Sequence, residues 1–299
     1  MNRRKKRLIF VLAWISINAI WIFLGSLPSY AVEIGDIQKR GVLNHLGIPY
    51  ANFVTGSGDG LDIELVQLFA KHLGVKYNFV ETSWDQVVAD LTGKKVEPNG
   101  HNIRILGDAP IKGDIVANGF TILPWREKIV EFSIPTFPSQ IWLMARADST
   151  VRPIHPSGNI EKDIVSVKAL LKGYGLLGIA KTCLDPSLYA LESTGAKIKL
   201  FEGKLNEIAP AVIKGESEII LLDVPDALIA LEKWPGQIKV IGPLSPPQYM
   251  GCAFSKDSPQ LRKTFNHFFE AQKKNGTYAG LIKKYYRGIY SYFPEFFKR

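Results

Sequence analysis

The sequence contains few of the residues on which metal sites and nucleophilic sites are usually built. It has two cysteines and five histidines in 299 residues. The histidines are scattered singly along the chain, at His45, His72, His101, His155 and His267. This scatter gives no metal-ligand spacing and no Ser/His/Asp arrangement, so it excludes a metal site and a catalytic triad of that type. The sequence also lacks a repeat period and any low-complexity tract, which excludes a repeat architecture.

Disulfides are not needed in a chain of this composition. Cys183 and Cys252 are the two cysteines, and a chain of this length can bury a sufficient hydrophobic core without a covalent crosslink. An oxidising compartment would permit a disulfide between them. We nevertheless predict that both are free thiols.

Acidic residues are absent from the chain before Glu33, whereas five basic residues stand between positions 3 and 7. The formal net charge of +9 therefore overstates the charge of the rest of the chain, because these five positive charges account for all but +4 of it. The remainder is an ordinary surface charge. Without a basic stripe or a Cys/His module, it gives no support to nucleic-acid binding.

The basic cluster precedes an apolar run from Leu8 to Leu27 and then Pro28-Ser-Tyr-Ala31. This order is typical of a secretory signal peptide, which we assign to residues 1–31 with cleavage after Ala31. The run is also long enough to span a bilayer, so an uncleaved N-terminal anchor is the alternative. No cysteine lies near the cleavage site, which excludes a lipoprotein anchor. We expect a periplasmic protein that touches the membrane only if this segment is retained.

Residues 113–133 predict a binding site. Residues 114–117 have the pattern of a short buried strand, and Gly119 lies in a turn that brings the backbone close to a neighbour. Thr121 stands where its hydroxyl could cap a new helical turn, with Arg126 just beyond that turn. Backbone N–H groups, the hydroxyl and the guanidinium could together hold a carboxylate. The alternative is a turn whose arginine extends to solvent.

This stretch also resembles a known family. The segment 119–126, Gly-Phe-Thr-Ile-Leu-Pro-Trp-Arg, is followed by Glu-Phe-Ser-Ile-Pro at 131–135. The order is similar to the small-residue turn, Ser/Thr-x-x-x-x-Arg and Phe-Ser of the bacterial extracellular solute-binding proteins of family 3, the polar amino acid receptors of ABC importers. The resemblance implies that Thr121 and Arg126 hold the α-carboxylate of a ligand, with Gly119 in the turn. Leu123 departs from the family, whose members often have a second Thr there.

The resemblance extends to two aromatic residues. Tyr50 stands in the family's first loop, where a tyrosine packs on the ligand side chain, and Trp84 stands at a position of the pocket wall. The two are expected to sandwich the ligand side chain, and we predict that Trp84 begins a helix that continues to Leu91. Gly47 is nearest to the acidic residue that pairs with basic ligands in the family. The resemblance therefore implies a neutral or polar amino acid rather than a strongly cationic one.

Two further ligand positions come from the second half of the chain. Residues 178–186 occupy the place of the family's Gly-Val-x-x-Gly-Thr-Thr, which implies that Thr182 assists with the carboxylate, although the usual glycine is missing. Asp223 ends an apolar strand and matches the aspartate that pairs with the α-ammonium. Open α/β sheets bind ligands at such strand ends. A helix-capping aspartate before Pro225 is compatible with the same geometry.

The rest of the chain contains one insertion and a region in which strand and helix patterns alternate. Residues 93–112 are rich in Gly and Pro and predict a surface elaboration, with 102–106 as one strand of a hairpin that is solvated rather than a cover for the cleft. Strand and helix patterns then alternate, which implies a sheet covered on both faces. The predicted helices of this region are 163–172, 184–194, 205–215 and 225–233.

We predict an α/β type II periplasmic-binding-protein-like fold, with two lobes joined by a hinge of two chain crossings. The first lobe is expected to comprise residues 32–139 and 242–299, and the second residues 140–241. Cys183 and Cys252 then belong to different lobes, and a disulfide between them would lock the hinge.

The expected function is capture of an amino acid or similar small carboxylate for an ABC permease, without a cofactor, a metal or enzymatic activity. Two alternatives remain open. The resemblance also covers cyclohexadienyl dehydratase-like enzymes, which need a general acid in the cleft. A membrane-anchored sensory module is the other alternative, and an uncleaved N-terminal segment would favour it.

Overall fold

The computed structural model describes residues 33–298, and the predicted signal segment 1–31 lies outside them. The strands follow in chain order: β1 (Val42–Gly47), β2 (Lys76–Glu81), β3 (Lys94–Asn99), β4 (Asn102–Asp108), β5 (Ile115–Val116), β6 (Val130–Phe132), β7 (Phe137–Ser139), β8 (Ile141–Arg146), β9 (Gly175–Gly178), β10 (Lys197–Leu200), β11 (Ile219–Asp223), β12 (Ile238–Pro243), β13 (Gln248–Met250) and β14 (Ala253–Ser255).

The α-helices of the described residues vary from single turns to four turns. They are, in chain order, α1 (Ile34–Arg40), α2 (Leu61–Leu73), α3 (Val87–Thr92), α4 (Pro124–Glu127), α5 (Ile160–Ala169), α6 (Ile208–Ile213), α7 (Val224–Lys233), α8 (Pro259–Lys274), α9 (Thr277–Tyr285), α10 (Ile289–Tyr292) and α11 (Pro294–Phe297). Short 3₁₀ turns occur at Pro186–Tyr189, Leu191–Thr194 and Leu205–Glu207.

The first sheet has the strand order β2-β1-β5-β14-β6. Strands β2 and β5 run parallel to β1, whereas β14 is antiparallel to both of its neighbours. Helix α2 covers this sheet with an apolar face that includes Leu61, Leu65 and Phe69, all fully buried. This spacing of four residues matches the helical period. The helix ends at Gly74, which takes the left-handed conformation at φ 72°.

The second sheet has the order β10-β9-β11-β8-β12. Strands β9, β10 and β11 run parallel, and β8 is antiparallel to both β11 and β12. All five residues of β11 and the first five of β8 are buried. Sheets that are covered on both faces have such continuous apolar strands.

The two sheets define two lobes, as the alternation of strands and helices predicted. The chain leaves the first sheet after β6 and enters the second at β8, and it returns between β12 and β14. Strands β7 and β13 lie on these two crossings and pair with each other in a separate two-stranded sheet. The crossings are therefore held side by side, as expected for a hinge between two lobes.

The structure confirms the predicted hairpin and contradicts one of the helices predicted for the second lobe. Strands β3 and β4 form an antiparallel hairpin within the insertion 93–112. The helix predicted at 184–194 is wrong, because this segment forms two separate 3₁₀ turns. Ala190, between them, has φ 52°. A residue in the left-handed conformation cannot continue a right-handed helix, so the segment breaks there.

Candidate functional site

The candidate site lies where the ends of β5 and β11 meet between the lobes. Tyr50, from the loop after β1, donates its hydroxyl to both carboxylate oxygens of Asp223, the last residue of β11. Tyr50 and Asp223 are each 1% exposed. A residue of the first lobe therefore contacts a predicted ligand-binding residue of the second.

The turn after β5 can accept only glycine at position 119. Gly119 has φ 63°, and a Cβ added to it would lie 2.5 Å from the ring of Phe53 and 2.9 Å from the ring of Tyr50. Its N–H donates to Oδ2 of Asp62 at 2.7 Å. The glycine therefore lets the turn approach the aromatic rings, while the Asp62 carboxylate holds its amide.

The Asp62 carboxylate stabilises this turn through its hydrogen bond with the Gly119 amide. It is buried in the first turn of α2, and a carboxylate near a helix N-terminus interacts favourably with the helix dipole. Burial raises its pKa from 3.8 to about 7, although the hydrogen bond from Gly119 acts in the opposite direction. Desolvation of a carboxylate disfavours its charged form, which explains the direction.

Thr121 is buried, but it does not cap the helix that follows, so that prediction was wrong. Helix α4 begins at Pro124, which makes Leu123 the N-cap residue, and no side chain caps it. Proline favours the first helical position because its φ suits the helix and it lacks the N–H that would need a partner. Thr121 instead forms an isolated β-bridge with Met250 on the strand that returns from the second lobe.

Arg126 lies inside α4 and is 1% exposed. Its guanidinium carbon is 3.9 Å from the centroid of the Phe120 ring. Nη1 donates to the Thr121 carbonyl oxygen at 2.9 Å, and Nη2 reaches the Lys181 carbonyl oxygen of the second lobe at 3.5 Å. Within residues 33–298, Nε has no hydrogen-bond partner. Burial lowers the pKa of Arg126 to about 10, so the group remains positive at neutral pH.

The turn of the second lobe that faces Arg126 contains Thr182. Its hydroxyl donates to the Ile179 carbonyl at 2.8 Å and accepts from the Leu184 N–H at 3.0 Å. The Thr182 hydroxyl thus stabilises its own turn. A ligand oxygen would have to compete with the Ile179 carbonyl for the hydroxyl proton. Lys181 has φ 62°, so a lysine takes the left-handed conformation in this turn.

Asp223 has two structural roles. It is the N-cap of α7, because Oδ1 accepts from the Asp226 N–H at 3.1 Å. Its Oδ2 also accepts from the Cys183 thiol at 3.4 Å. Burial raises the pKa of Asp223, while the donors from Tyr50, Asp226 and Cys183 act against that increase. Asp223 therefore caps α7, as the alternative interpretation of the sequence expected. Its carboxylate nevertheless lies between the lobes, where it contacts Tyr50.

The aromatic residues of the site contact one another. Tyr50 and Trp84 meet edge to face, with ring centroids 5.9 Å apart. Trp84 also stacks on Phe120, with centroids 6.4 Å apart. The prediction that Trp84 begins a helix was wrong, since α3 begins at Val87 and the N–H groups of Gln86 and Val87 bond back to the Ser83 carbonyl in a turn.

A cavity of about 620 Å³ opens from this cluster at the mouth between the lobes. Trp84 and Ile48 line it from the first lobe, and Ala180 and Phe201 from the second. Lys181 crosses the gap to pair with Asp85 at 3.2 Å. The Ala51 N–H donates to Oδ1 of Asn206 at 3.2 Å. Both contacts join the two lobes.

The structure thus brings the predicted residues Tyr50, Gly119, Thr121, Arg126, Thr182 and Asp223 into one buried region, with Trp84 at its edge. Sequence reasoning missed Phe120, on which the guanidinium lies, and the cross-lobe contacts of Lys181. Phe120 carried a usable signal, because it is the aromatic residue beside the predicted turn. No group of His, Cys, Asp or Glu residues among positions 33–298 is arranged to hold a metal ion.

Two lobes, a hinge of paired crossings and opposed charged residues between the lobes define the class of a two-lobe ligand-binding protein. The profile of the bacterial extracellular solute-binding proteins, family 3, matches residues 47–103 and 110–288. The chain belongs to this family. The break between the matched segments falls in β4 of the hairpin, where the insertion was predicted.

Two relatives of described activity match most of the chain. The chain is 25% identical over 282 residues to the L-cystine-binding protein TcyJ of Escherichia coli, covering 92% of this chain and 94% of the relative. It is 24% identical to the membrane-bound lytic murein transglycosylase F of Desulfosudis oleivorans, covering 97% of this chain. The chain spans only 58% of the length of that relative.

A solved structure gives the same fold. The ancestral amino acid-binding protein AncCDT-1, described as a precursor of cyclohexadienyl dehydratase, superposes with a TM-score of 0.66 and 25% identity. The match covers 85% of this chain and 98% of the ancestral protein. The type II periplasmic-binding-protein-like fold predicted from the sequence is confirmed. Among residues 33–298, no helix combines the length and the apolar character that crossing a membrane requires.

Proposed function

We propose that the chain binds an amino acid, or a similar small carboxylate, between its two lobes. The observation that carries the proposal is a pair of buried opposite charges, Arg126 on the first lobe and Asp223 on the second. Within residues 33–298, neither forms an ion pair with a charged side chain. Buried charges are costly unless they are paired. An α-amino acid carries both complementary charges on one carbon.

The role of each residue follows from this charge pattern. The ligand carboxylate would lie against Arg126, with Thr121, Gly119 and Thr182 around it. Nε of Arg126 has no hydrogen-bond partner among residues 33–298, and Nη2 is 3.5 Å from the Lys181 carbonyl oxygen. The ammonium would bind Asp223 in place of the Tyr50 hydroxyl. Because such a ligand contacts both lobes, it favours the closed arrangement over the open one.

The ligand side chain would point toward the cavity at the mouth, between Tyr50 and Trp84. We expect this side chain to be neutral or polar, because Gly47 is the nearest equivalent of the acidic residue that pairs with basic ligands in the family. A Cβ added to Gly47 would lie 2.5 Å from the Phe79 ring, so an acidic side chain cannot be placed there without displacing that ring. At the mouth, Asp85 is already paired with Lys181. Calorimetry in which arginine or lysine binds more tightly than every neutral amino acid would overturn this preference.

We infer a binding role rather than a catalytic one. A dehydratase needs a general acid in the cleft with a perturbed pKa. Burial raises the pKa of both Asp62 and Asp223, but the Asp62 carboxylate accepts from the Gly119 amide, and the Asp223 carboxylate accepts from Tyr50 and caps α7. The relative TcyJ is described as a binding protein, which supports the same conclusion.

The family description places its members outside the cytoplasm. We propose that this chain is exported through its N-terminal segment and delivers its ligand to an ABC permease. The basic cluster and the apolar run at positions 3–27 support export. Retention of an intact N-terminal segment in the mature protein, measured by mass spectrometry, would favour the anchored alternative.

A thermal-shift screen against the common amino acids and small carboxylates tests the proposal. A ligand that binds only the folded state, present at 100 times its Kd, adds about 2.7 kcal/mol to the free energy of unfolding. We expect at least one amino acid to raise the melting temperature, and a des-amino analogue of it to raise the temperature less. If no amino acid and no small carboxylate has an effect at millimolar concentration, the proposal is wrong.

A further inference from the structure

Cys183 is the reactive group of the site to which the proposed function gives no role. Its thiol is buried and lies 3.4 Å from Oδ2 of Asp223. The Thr121 hydroxyl interacts with the same sulfur from the first lobe. The thiol is therefore in the contact region of the two lobes.

A second feature shows that this sulfur faces the ligand region. Arg126 is 1% exposed, its Nε has no hydrogen-bond partner within residues 33–298, and its charge interacts with Cys183. The sulfur thus lies 3.4 Å from the carboxylate that we assign to the ligand ammonium, and it interacts electrostatically with the guanidinium that we assign to the ligand carboxylate. A group attached to the sulfur would occupy the volume of that ligand.

Access to the thiol depends on the lobes. Tyr50, Thr121 and Arg126 of the first lobe surround this region, and a ligand can reach Arg126 and Asp223 only when the lobes separate. The same separation uncovers Cys183. In the closed arrangement, burial and the Asp223 carboxylate raise the pKa of the thiol, which keeps it protonated and unreactive.

We propose that Cys183 is a modification site, at which a small disulfide compound attaches when the lobes are apart and thereby blocks ligand binding. The Cys183 thiol loses its proton to solvent, and its sulfur attacks one sulfur of the compound. The disulfide bond of the compound breaks, a new bond joins Cys183 to the attacked sulfur, and the other half leaves as a thiolate that takes up a proton. No further oxidant is needed, and a free thiol reverses the exchange. The blocking effect rests on the proposed function.

Cys252 provides an internal control. It is also free, and it is 1% exposed. Its N–H donates to Oγ of Ser133 at 3.0 Å, within the core of the first lobe. Lobe separation does not uncover a core residue, so Cys252 should react only on unfolding.

The experiment treats the folded protein with 2-hydroxyethyl disulfide and locates the adduct by intact-mass and peptide mass spectrometry. The variants Cys252→Ser and Cys183→Ser each retain one thiol, and peptide mapping of the wild type gives the same information if a variant does not fold. We expect Cys183 to react at least about tenfold faster than Cys252, because reactivity follows access. Preferential modification of Cys252, or modification of both only in denaturant, would overturn the proposal.

A second measurement tests the blocking effect. A mixture of the common amino acids other than cysteine should slow the modification of Cys183 at least about tenfold, since closure buries the thiol. The adduct should abolish the thermal shift caused by the mixture, and dithiothreitol should restore it. An adduct that keeps the full shift contradicts this inference and leaves the proposed function intact. If the unmodified protein shows no shift with any amino acid or small carboxylate of the screen, the proposed function fails, whereas selective reaction of Cys183 still supports the modification site.

Discussion

At Gly119, backbone conformation and packing each require glycine. The residue combines φ 63° with aromatic rings of Phe53 and Tyr50 that leave no space for a Cβ. Gly100, in the hairpin turn, has the similar φ 59° but nothing within 4 Å of an added Cβ. The two glycines therefore separate the effect of packing from that of backbone conformation.

We expect Gly119→Ala to lower the free energy of unfolding by about 2–4 kcal/mol, through overpacking together with left-handed strain. Gly100→Ala should lower it by about 1–2 kcal/mol, through strain alone. Denaturant unfolding of the two variants measures the difference. Equal losses would show that the rings around Gly119 move aside without cost.

Asp62 and His45 make opposite contributions to the pH dependence of stability. The pKa of Asp62 is raised to about 7, so the folded state keeps a proton that the unfolded chain loses near pH 3.8. Stability from this residue therefore falls as pH rises from about 4 to about 7. His45 is buried and its pKa is lowered from 6.5 to about 4, so its contribution is lost as pH falls through that range.

Asp62→Asn isolates the carboxylate, because the amide oxygen can still accept from the Gly119 N–H. The difference in free energy of unfolding, wild type minus variant, should increase as pH is lowered from about 7 to about 4, by up to about 1.4 kcal/mol per unit. Urea unfolding across this range measures it. Parallel curves for the two proteins would show that the pKa of Asp62 is the same in the folded and unfolded states.

At the scale of elements, the junction of β11 and α7 combines structural and proposed binding roles in Asp223. The carboxylate caps α7 through the Asp226 N–H and also accepts from Tyr50 of the other lobe. Asparagine is about as good a cap as aspartate, whereas alanine typically costs about 1 kcal/mol at an N-cap. The two roles can therefore be separated by substitution.

Asp223→Asn should stay closer to the wild type in free energy of unfolding than Asp223→Ala, by about 1 kcal/mol. Calorimetry should nevertheless show weaker binding of an amino acid to Asp223→Asn, because the charge that pairs with the ammonium is gone. Binding of a des-amino analogue should be spared. Equal loss for both ligands would assign Asp223 a purely structural role.

Elements with strong local signals could be predicted, and those decided by single backbone conformations could not. The spacing of Leu61, Leu65 and Phe69 predicts α2, and the apolar run before Asp223 predicts β11. The failure at 184–194 depends on the left-handed Ala190, which no local pattern signals. The delayed start of α3 depends on a turn closed by the Ser83 carbonyl.

At the scale of the molecule, the two-lobe architecture could be predicted because strand and helix patterns alternate and the family pattern fixes their order. The positions of the candidate residues at strand ends follow from the same order. The contacts across the gap could not be predicted, because they join distant segments. Examples are Tyr50 with Asp223 and Lys181 with Asp85. The boundaries of the lobes at residues 139 and 241 stay predictions.

The central claim is that Arg126 holds the carboxylate of a ligand bound between the lobes. Calorimetry of Arg126→Ala with the amino acid found by thermal shift tests it most directly, with the exposed hairpin residue Arg104 changed to alanine as the control. Removing one partner of a buried, hydrogen-bonded charge pair costs about 2–5 kcal/mol. The affinity should therefore fall by a factor of about 30 to several thousand.

Arg126→Lys should recover only part of this loss, because an ammonium cannot form the two parallel bonds of a guanidinium. Arg104→Ala should bind like the wild type. Circular dichroism and the melting temperature of each variant establish that it is folded. Arg126→Ala with near-wild-type affinity and an unchanged melting temperature would contradict the carboxylate site, and the assignment of the surrounding residues would fail with it.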